Sequence, residues 1–205
     1  MDLTALAHMG GQGMGAAERP LTEMEGEYPK EIILRDGRGV SLRPLGPEDG
    51  PLLRRMLERL TEEDLWFLGL GEPVPGFVEK WVNEAGKDRL FTVCAVLEGE
   101  MVAAAALIRE RPGAEGHVGR IQTSVIPAYR EKKLGTWMLF DLINAAMSMG
   151  LERLIMRMVE GRDASLMRAM EKLGFTREAV LKDFVKDRAG NYRDLVLMVK
   201  RLPFA

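Results

Sequence analysis

The segment Arg130-Glu131-Lys132-Lys133-Leu134-Gly135-Thr136 gathers three cations and a glycine directly ahead of an apolar run. A pyrophosphate needs several donors aimed at one point. A loop entering a helix offers unpaired backbone N–H groups and the positive end of the helix dipole. Residues Glu131 to Thr136 have that form. The same residues also describe a solvated, charged turn before a core helix, and residue types alone favour this plainer reading.

Other reactive side chains are sparse. Cys94 lies within the apolar run Leu90 to Leu97, where an inert, buried thiol is expected. His8 and His117 have no second ligand at fixed spacing, so no metal is expected. Asp163 precedes Leu166, Met167, Met170 and Leu173 at helical spacing and reads as a helix N-cap.

The chain has 205 residues, with 29 Lys and Arg against 31 Asp and Glu and a net charge of -2. That length supports a single core without disulfide or metal staples. The balanced charge gives no overall field for a polyanion, so nucleic acid is not an expected partner. A single cysteine does not suggest an oxidising compartment. No apolar stretch reaches the ~18 to 20 residues of a membrane span. Asp2 and the glycine-rich Met9 to Gly15 do not make a signal core. The expectation is a cytoplasmic protein with no membrane association.

Several elements must position the charged loop. Residues 1–28 are glycine-rich and without period, which predicts a mobile leader ahead of one domain over 29–205. Glu31 to Leu34 and Val40 to Arg43 flank Asp36-Gly37, as in a hairpin or bent first strand. Leu52, Leu53, Met56, Leu57 and Leu60 mark an amphipathic helix. Thr61 with Asp64 resembles a cap with an acid in the first turn, and Phe77 to Val82 gives another short apolar face. Leu90 to Leu97, Met101 to Ile108 and Val118 to Ile126 read as strands, the second weakened by alanines 103 to 106. A buried helix over Thr136 to Met149, a strand over Leu154 to Val159 and a helix from Asp163 to Gly174 follow. Val180 to Val185 and Tyr192 to Val199 are the last strands.

This order resembles that of the GCN5-related N-acetyltransferase (GNAT) superfamily over about Glu31 to Leu202. The strongest point is Val125-Ile126-Pro127-Ala128-Tyr129 followed by Arg130 to Gly135, which is similar to the family's strand, bend and Arg/Gln-x-x-Gly-x-Gly pyrophosphate loop. Lys133 stands where the middle glycine is usual. Asp163 to Phe175, ending Glu171-Lys172-Leu173-Gly174-Phe175, resembles the family's second motif, with Asp163 for Asn and Met170 for Tyr. Leu34-Arg35-Asp36-Gly37, Leu42-Arg43-Pro44 and Asp187-Arg188-Ala189-Gly190 resemble the branch of bacterial protein lysine acetyltransferase domains.

The resemblance implies an α+β GNAT fold: a central mixed, largely antiparallel twisted sheet of six to seven strands, with about four helices on both faces. It implies acetyl-CoA as co-substrate, held by Thr123, Ser124, Val125, Arg130, Glu131, Lys132, Lys133, Leu134, Gly135, Thr136 and Asp163. Arg130, Lys132 and Lys133 would meet its phosphates, Gly135 would let the backbone approach them, and Val125 N–H would polarise the thioester carbonyl. Arg120 occupies the position of the related domains' Glu base and accepts no proton; Met170 replaces the tyrosine acid. Glu160 and Asp163 remain as catalytic candidates for proton handling, and Tyr129 and Tyr192 as substitute acids.

Two functions follow. One is N-acetyl transfer to a primary amine, either a small molecule or a protein lysine. The other is a non-catalytic CoA- or acyl-CoA-binding regulatory module. A homodimer is left open by the sequence.

Overall fold

Eight strands form one sheet in the computed structural model, which describes residues 27–69, 74–85, 89–110 and 112–203. Residues 1–26 of the expected leader lie outside the described residues. The chain runs β1 (Lys30–Ile33), β2 (Gly39–Pro44), α1 (Gly50–Glu58), α2 (Glu62–Leu68), α3 (Val74–Glu84), β3 (Leu90–Leu97), β4 (Glu100–Arg109) and β5 (Val118–Val125). It continues through α4 (Leu134–Ser148), β6 (Arg153–Val159), α5 (Ala164–Lys172), β7 (Thr176–Lys186) and β8 (Tyr192–Arg201). The sheet order is β1-β2-β3-β4-β5-β6-β8-β7. Among the described residues only β5 and β6 pair in parallel; the other pairs are antiparallel.

The α+β class and mixed sheet match the sequence expectation, with eight strands among the described residues in place of six to seven and five helices among them in place of about four. The extra strand arises at Asp36-Gly37, where Gly37 at φ 86° turns the opening segment back on itself as a true hairpin. The extra helix arises because α2 stops at Gly69, left-handed at φ 67°, so the Thr61 and Phe77 segments are separate helices. The alanine run does not break β4. Ala103, Ala105 and Ala106 are buried, and their small side chains let α1 and α4 approach the strand from opposite faces.

The helices divide between the two faces. α1 to α3 share a cavity wall with Ala104, Ala106, Gln122 and Ser124. Gly135 at the start of α4 faces Val125 on the other side, where Leu173 at the end of α5 accepts a hydrogen bond from Lys200. α4 carries one acid inward: Asp141, 6% exposed, accepts from the Tyr28 hydroxyl and, at 2.7 Å, from Lys30 Nζ. Tyr28 is thereby tied to the domain, and burial and then Asp141 raise its hydroxyl well above the ordinary tyrosine range.

A second buried acid fixes the entry to α1. Asp49, 1% exposed, accepts from Arg43 at 2.6 and 2.7 Å and from Gly46 N–H at 2.8 Å. The Arg43 hydrogen bonds hold its carboxyl below the ordinary value against the opposing effect of burial. A depressed carboxylate stabilises the fold above its unfolded pKa, and this contribution is lost as pH falls through the folded value. Asp49→Ala is expected to lower unfolding free energy by roughly 2 to 3 kcal/mol at neutral pH. Urea midpoints at neutral and acidic pH check this: the difference from wild type should shrink toward acid, and an unchanged neutral midpoint would contradict it.

Candidate functional site

The site begins where a ladder ends. β5 and β6 pair only through Val118 with Arg153, Gly119 with Leu154 and Arg120 with Ile155. Beyond that, β5 stays in register with β4 to Val125 and β6 with β8 to Val159. The two strands therefore separate while each is held on its other side.

Register decides which backbone groups face the gap. Ile126 N–H bonds to the Val102 carbonyl on β4, and Val118 C=O accepts from Glu110 on the same side. Even-numbered β5 residues therefore serve the β4 ladder. The N–H and C=O groups of Thr123 and Val125 point toward β6, where pairing has stopped. Ser124 has its backbone in the β4 ladder and its side chain in a cavity of about 30 Å³, beside Leu68, Phe77, Trp81 and Gln122. On β6, Glu160 N–H bonds to Asp194 C=O, so the N–H of Val159 faces the gap. Asp163 accepts it at 2.7 Å.

After a 3-10 turn at Pro127–Tyr129 the chain enters the charged loop and then α4. Glu131 at φ 61° and Lys133 at φ 67° are left-handed. This alternation of hand turns successive N–H groups toward one concave side. Among the described residues no acceptor takes the N–H groups of Glu131 to Thr136; the first helical bond runs from Trp137 N–H to Lys133 C=O. A Cβ added at Gly135 would meet only Val125 Cγ2, at 3.9 Å. The free donors, open approach and helix start fit a diphosphate.

The cations of the loop differ in their engagements. Lys132 Nζ lies 2.8 Å from Asp36, which Arg38 also binds, and Lys132 C=O accepts from Arg35 N–H. The β1–β2 turn is thus docked on the loop. Lys133 is exposed and has no ion-pair partner among the described residues. Arg130 is turned back along β5: its Nε donates to Val125 C=O at 3.0 Å and its Nη2 to Asp64 on α2 at 2.5 Å.

From there a polar chain crosses the mouth of the gap. Asp64 also accepts from Arg162 at 2.8 Å, and Arg162 donates to Asp163 at 2.6 Å. Asp163 closes the chain at Val159 N–H, so Arg130, Asp64, Arg162 and Asp163 link the free ends of β5 and β6. For Asp64, burial raises the carboxyl pKa, but hydrogen bonds from Thr61 and Arg130 bring it below the ordinary value. For Asp163, burial wins over Val159 N–H and Arg162, and the carboxyl is raised.

The expected residues are only partly brought together. Thr123, Val125, the Arg130 to Thr136 loop and Asp163 border one gap. Asp163 makes no side-chain cap to α5 and instead bonds back to β6. Glu160 is paired with Arg177 on β7 at 3.3 Å and has no hydrogen bond or ion pair to α2 or β5 among the described residues. Arg120 lies 3.6 Å from Glu110, and Met170 is fully buried in the core. Tyr129 sits beneath Arg38, and Tyr192 is 60% exposed beneath Lys186. Cys94 is buried and its thiol is pushed up to about 12, chiefly by desolvation. Sequence reasoning missed the roles of Asp64 and Arg162. Thr61 and Asp64 do form the expected cap, but nothing local announces a partner 66 residues away.

A family model described as the acetyltransferase (GNAT) family matches residues 55–175, more than half of the chain. The chain belongs to that family. Among solved structures, a GNAT-family acetyltransferase from Streptococcus pneumoniae is similar at TM-score 0.69 and 22% identity, over 79% of this chain and 99% of its own. The GNAT domain of S. lividans PAT is similar at TM-score 0.69 and 16% identity, over 84% of this chain and 96% of its own. The ribosomal-protein-S18-alanine N-acetyltransferase from Escherichia coli gives 0.64 and 18%, over 81% and 96%. At these identities the likeness is one of fold. No curated protein matches the chain. No helix among the described residues is long and apolar enough to cross a membrane.

The backbone at Lys133 is left-handed, and nothing in the structure explains a lysine there. The position requires a left-handed residue, which costs a side-chain-bearing amino acid about 1 to 2 kcal/mol, and glycine meets that requirement without a Cβ. Lys133→Gly should raise stability by up to about 1 kcal/mol after the added freedom of the unfolded chain is subtracted. A lowered thermal midpoint in this variant would contradict the strained-loop account.

Proposed function

We propose that this GNAT domain transfers the acetyl group of acetyl-CoA to a primary amine, on a small molecule or a protein lysine. The observation that carries the reading is the alignment of two sets of free donors: N–H groups of Thr123 and Val125 in the β5–β6 gap, and those of Glu131 to Thr136 at the start of α4. An extended pantetheine arm laid along β5 would pair with the first set as an added strand. The second set would hold the pyrophosphate, and Val125 N–H would stabilise the charge developing on the thioester oxygen. An amine acceptor suits the fold, since the E. coli neighbour is named as an alanine N-acetyltransferase.

A lysine-like amine of pKa ~10.4 must lose a proton before attack. Asp163, at the mouth with a raised carboxyl pKa, is the stronger of the two carboxylate candidates. Glu160 would have to leave Arg177 to take part. General acid or base loss costs ~10²- to 10⁴-fold, while positioning supplies ~7 to 11 kcal/mol. Turnover can therefore survive Arg120 and Met170 at the usual base and acid positions. We place this activity in the cytoplasm, in keeping with the single unpaired cysteine.

The burial of Met170 and the pairing of Arg120 with Glu110 favour a second reading, a CoA- or acyl-CoA-binding module without turnover. Both readings require donor binding, and ligand at 100 times its dissociation constant adds ~2.7 kcal/mol of stability. Acetyl-CoA is expected to raise the thermal midpoint; no shift at millimolar acetyl-CoA would defeat both. Release of CoA thiol with a panel of amines and lysine peptides then separates them, and silence throughout favours the binding module. Gly135→Ala should keep or raise stability, because alanine is the better helix former by about 0.8 to 1.0 kcal/mol. The same variant should weaken acetyl-CoA about tenfold by obstructing the backbone's charge-assisted contacts. Unchanged affinity would remove the loop from the donor site.

A further inference from the structure

The arginine of the phosphate loop is held by two partners that both lie in the proposed donor's path. Its Nε occupies Val125 C=O, a backbone group an added strand would use, and its Nη2 is held by Asp64 at 2.5 Å. While Nε and Nη2 keep these partners, Arg130 can neither donate them to a phosphate nor free Val125 C=O for the arm.

The carboxylate holding it comes from a lightly anchored element. α2 has seven residues, none is buried, and of its apolar side chains Leu65 and Leu68 pack against the core. Its polar contacts are Glu62 with Arg188, Trp66 Nε1 to Lys186 C=O at 2.7 Å and Gln122 Nε2 to Leu68 C=O at 3.4 Å, with Arg162 over the Phe67 ring at 4.9 Å. Asp64 also retains partners if Arg130 leaves: Arg162 at 2.8 Å and the Thr61 hydroxyl at 2.7 Å. Its release therefore strands no charge, and the exchange replaces one charge-assisted pair of Arg130 with another.

We propose that Asp64 is an internal competitor for the acyl-donor site, holding Arg130 away from the loop until donor binding transfers Arg130 from Asp64 to the pyrophosphate. This rests on the acetyl-CoA reading above. The exchange also changes the mouth of the gap. Before it, Arg130 and Arg162 balance Asp64 and Asp163; after it, Arg162 alone faces the two carboxylates. The mouth acquires the sign that draws an ammonium only once the donor is in place, which gives the two substrates an order.

The test is a double-mutant cycle on the full chain, with CoA titrated calorimetrically into wild type, Asp64→Asn, Arg130→Gln and the double variant. Asp64→Asn is expected to bind CoA more tightly by up to about fivefold, the scale of a partly exposed ion pair. Arg130→Gln should bind more weakly, and Asp64→Asn should bring no gain in that background. Asp64→Ala, which deletes the group entirely, should reproduce the gain. CoA binding by wild type with no gain in either Asp64 variant overturns the proposal, as does an equal gain with and without Arg130. No binding by wild type or the Asp64 variants overturns the donor-site reading along with it.

Discussion

β5 and β6 exchange hydrogen bonds as far as Arg120 and Ile155 and then separate, each still bound on its outer side. A parallel pair that ended at solvent would leave its backbone groups to water. Here the N–H groups of Thr123 and Val125 face the gap with no acceptor among the described residues, while Val125 C=O accepts from Arg130, so the divergence leaves a fixed row of backbone donors beside the start of α4. Everything proposed for function depends on that divergence. It defines the extended path for the pantetheine arm, and it lets the chain turn at Pro127–Tyr129 so that the start of α4 lies at the open end of β5.

Buried polar groups cost free energy unless they are paired, and the structure meets this requirement with its own side chains. Asp163 satisfies Val159 N–H, Arg130 satisfies Val125 C=O, and Asp64 with Arg162 joins the two. The mouth of the gap is thereby spanned by charge pairs instead of apolar packing. Such pairs exchange partners readily when a phosphate arrives, whereas interdigitated core side chains such as Met170 and Met138 do not.

Most of the fold was legible in the sequence. The helical spacing of Leu53, Met56 and Leu57, the cap at Thr61, the stop near Gly150 and the strand runs all report local physics, and the elements lie within a few residues of expectation. β7 begins at Thr176, earlier than the expected Val180, because its first residues are exposed on both faces and carry no alternation. The site was legible where it is local, in the loop before α4. It was hidden where it is not: Asp64 pairs across 66 residues with Arg130 and across 98 with Arg162. The left-handed requirement at Lys133 likewise follows from how the turn enters α4, which residue types do not announce.

The central claim is that a donor occupies the β5–β6 gap with its phosphates at the start of α4. Amide chemical-shift mapping on a uniformly ¹⁵N-labelled chain titrated with CoA tests it most directly. The account predicts the largest changes at Thr123 and Val125, whose N–H groups face the gap, and at Lys133 to Thr136, with Ser124 and Gln122 N–H less affected because they remain in the β4 ladder. Changes concentrated elsewhere, or an even response along β5 with none at the start of α4, would contradict it.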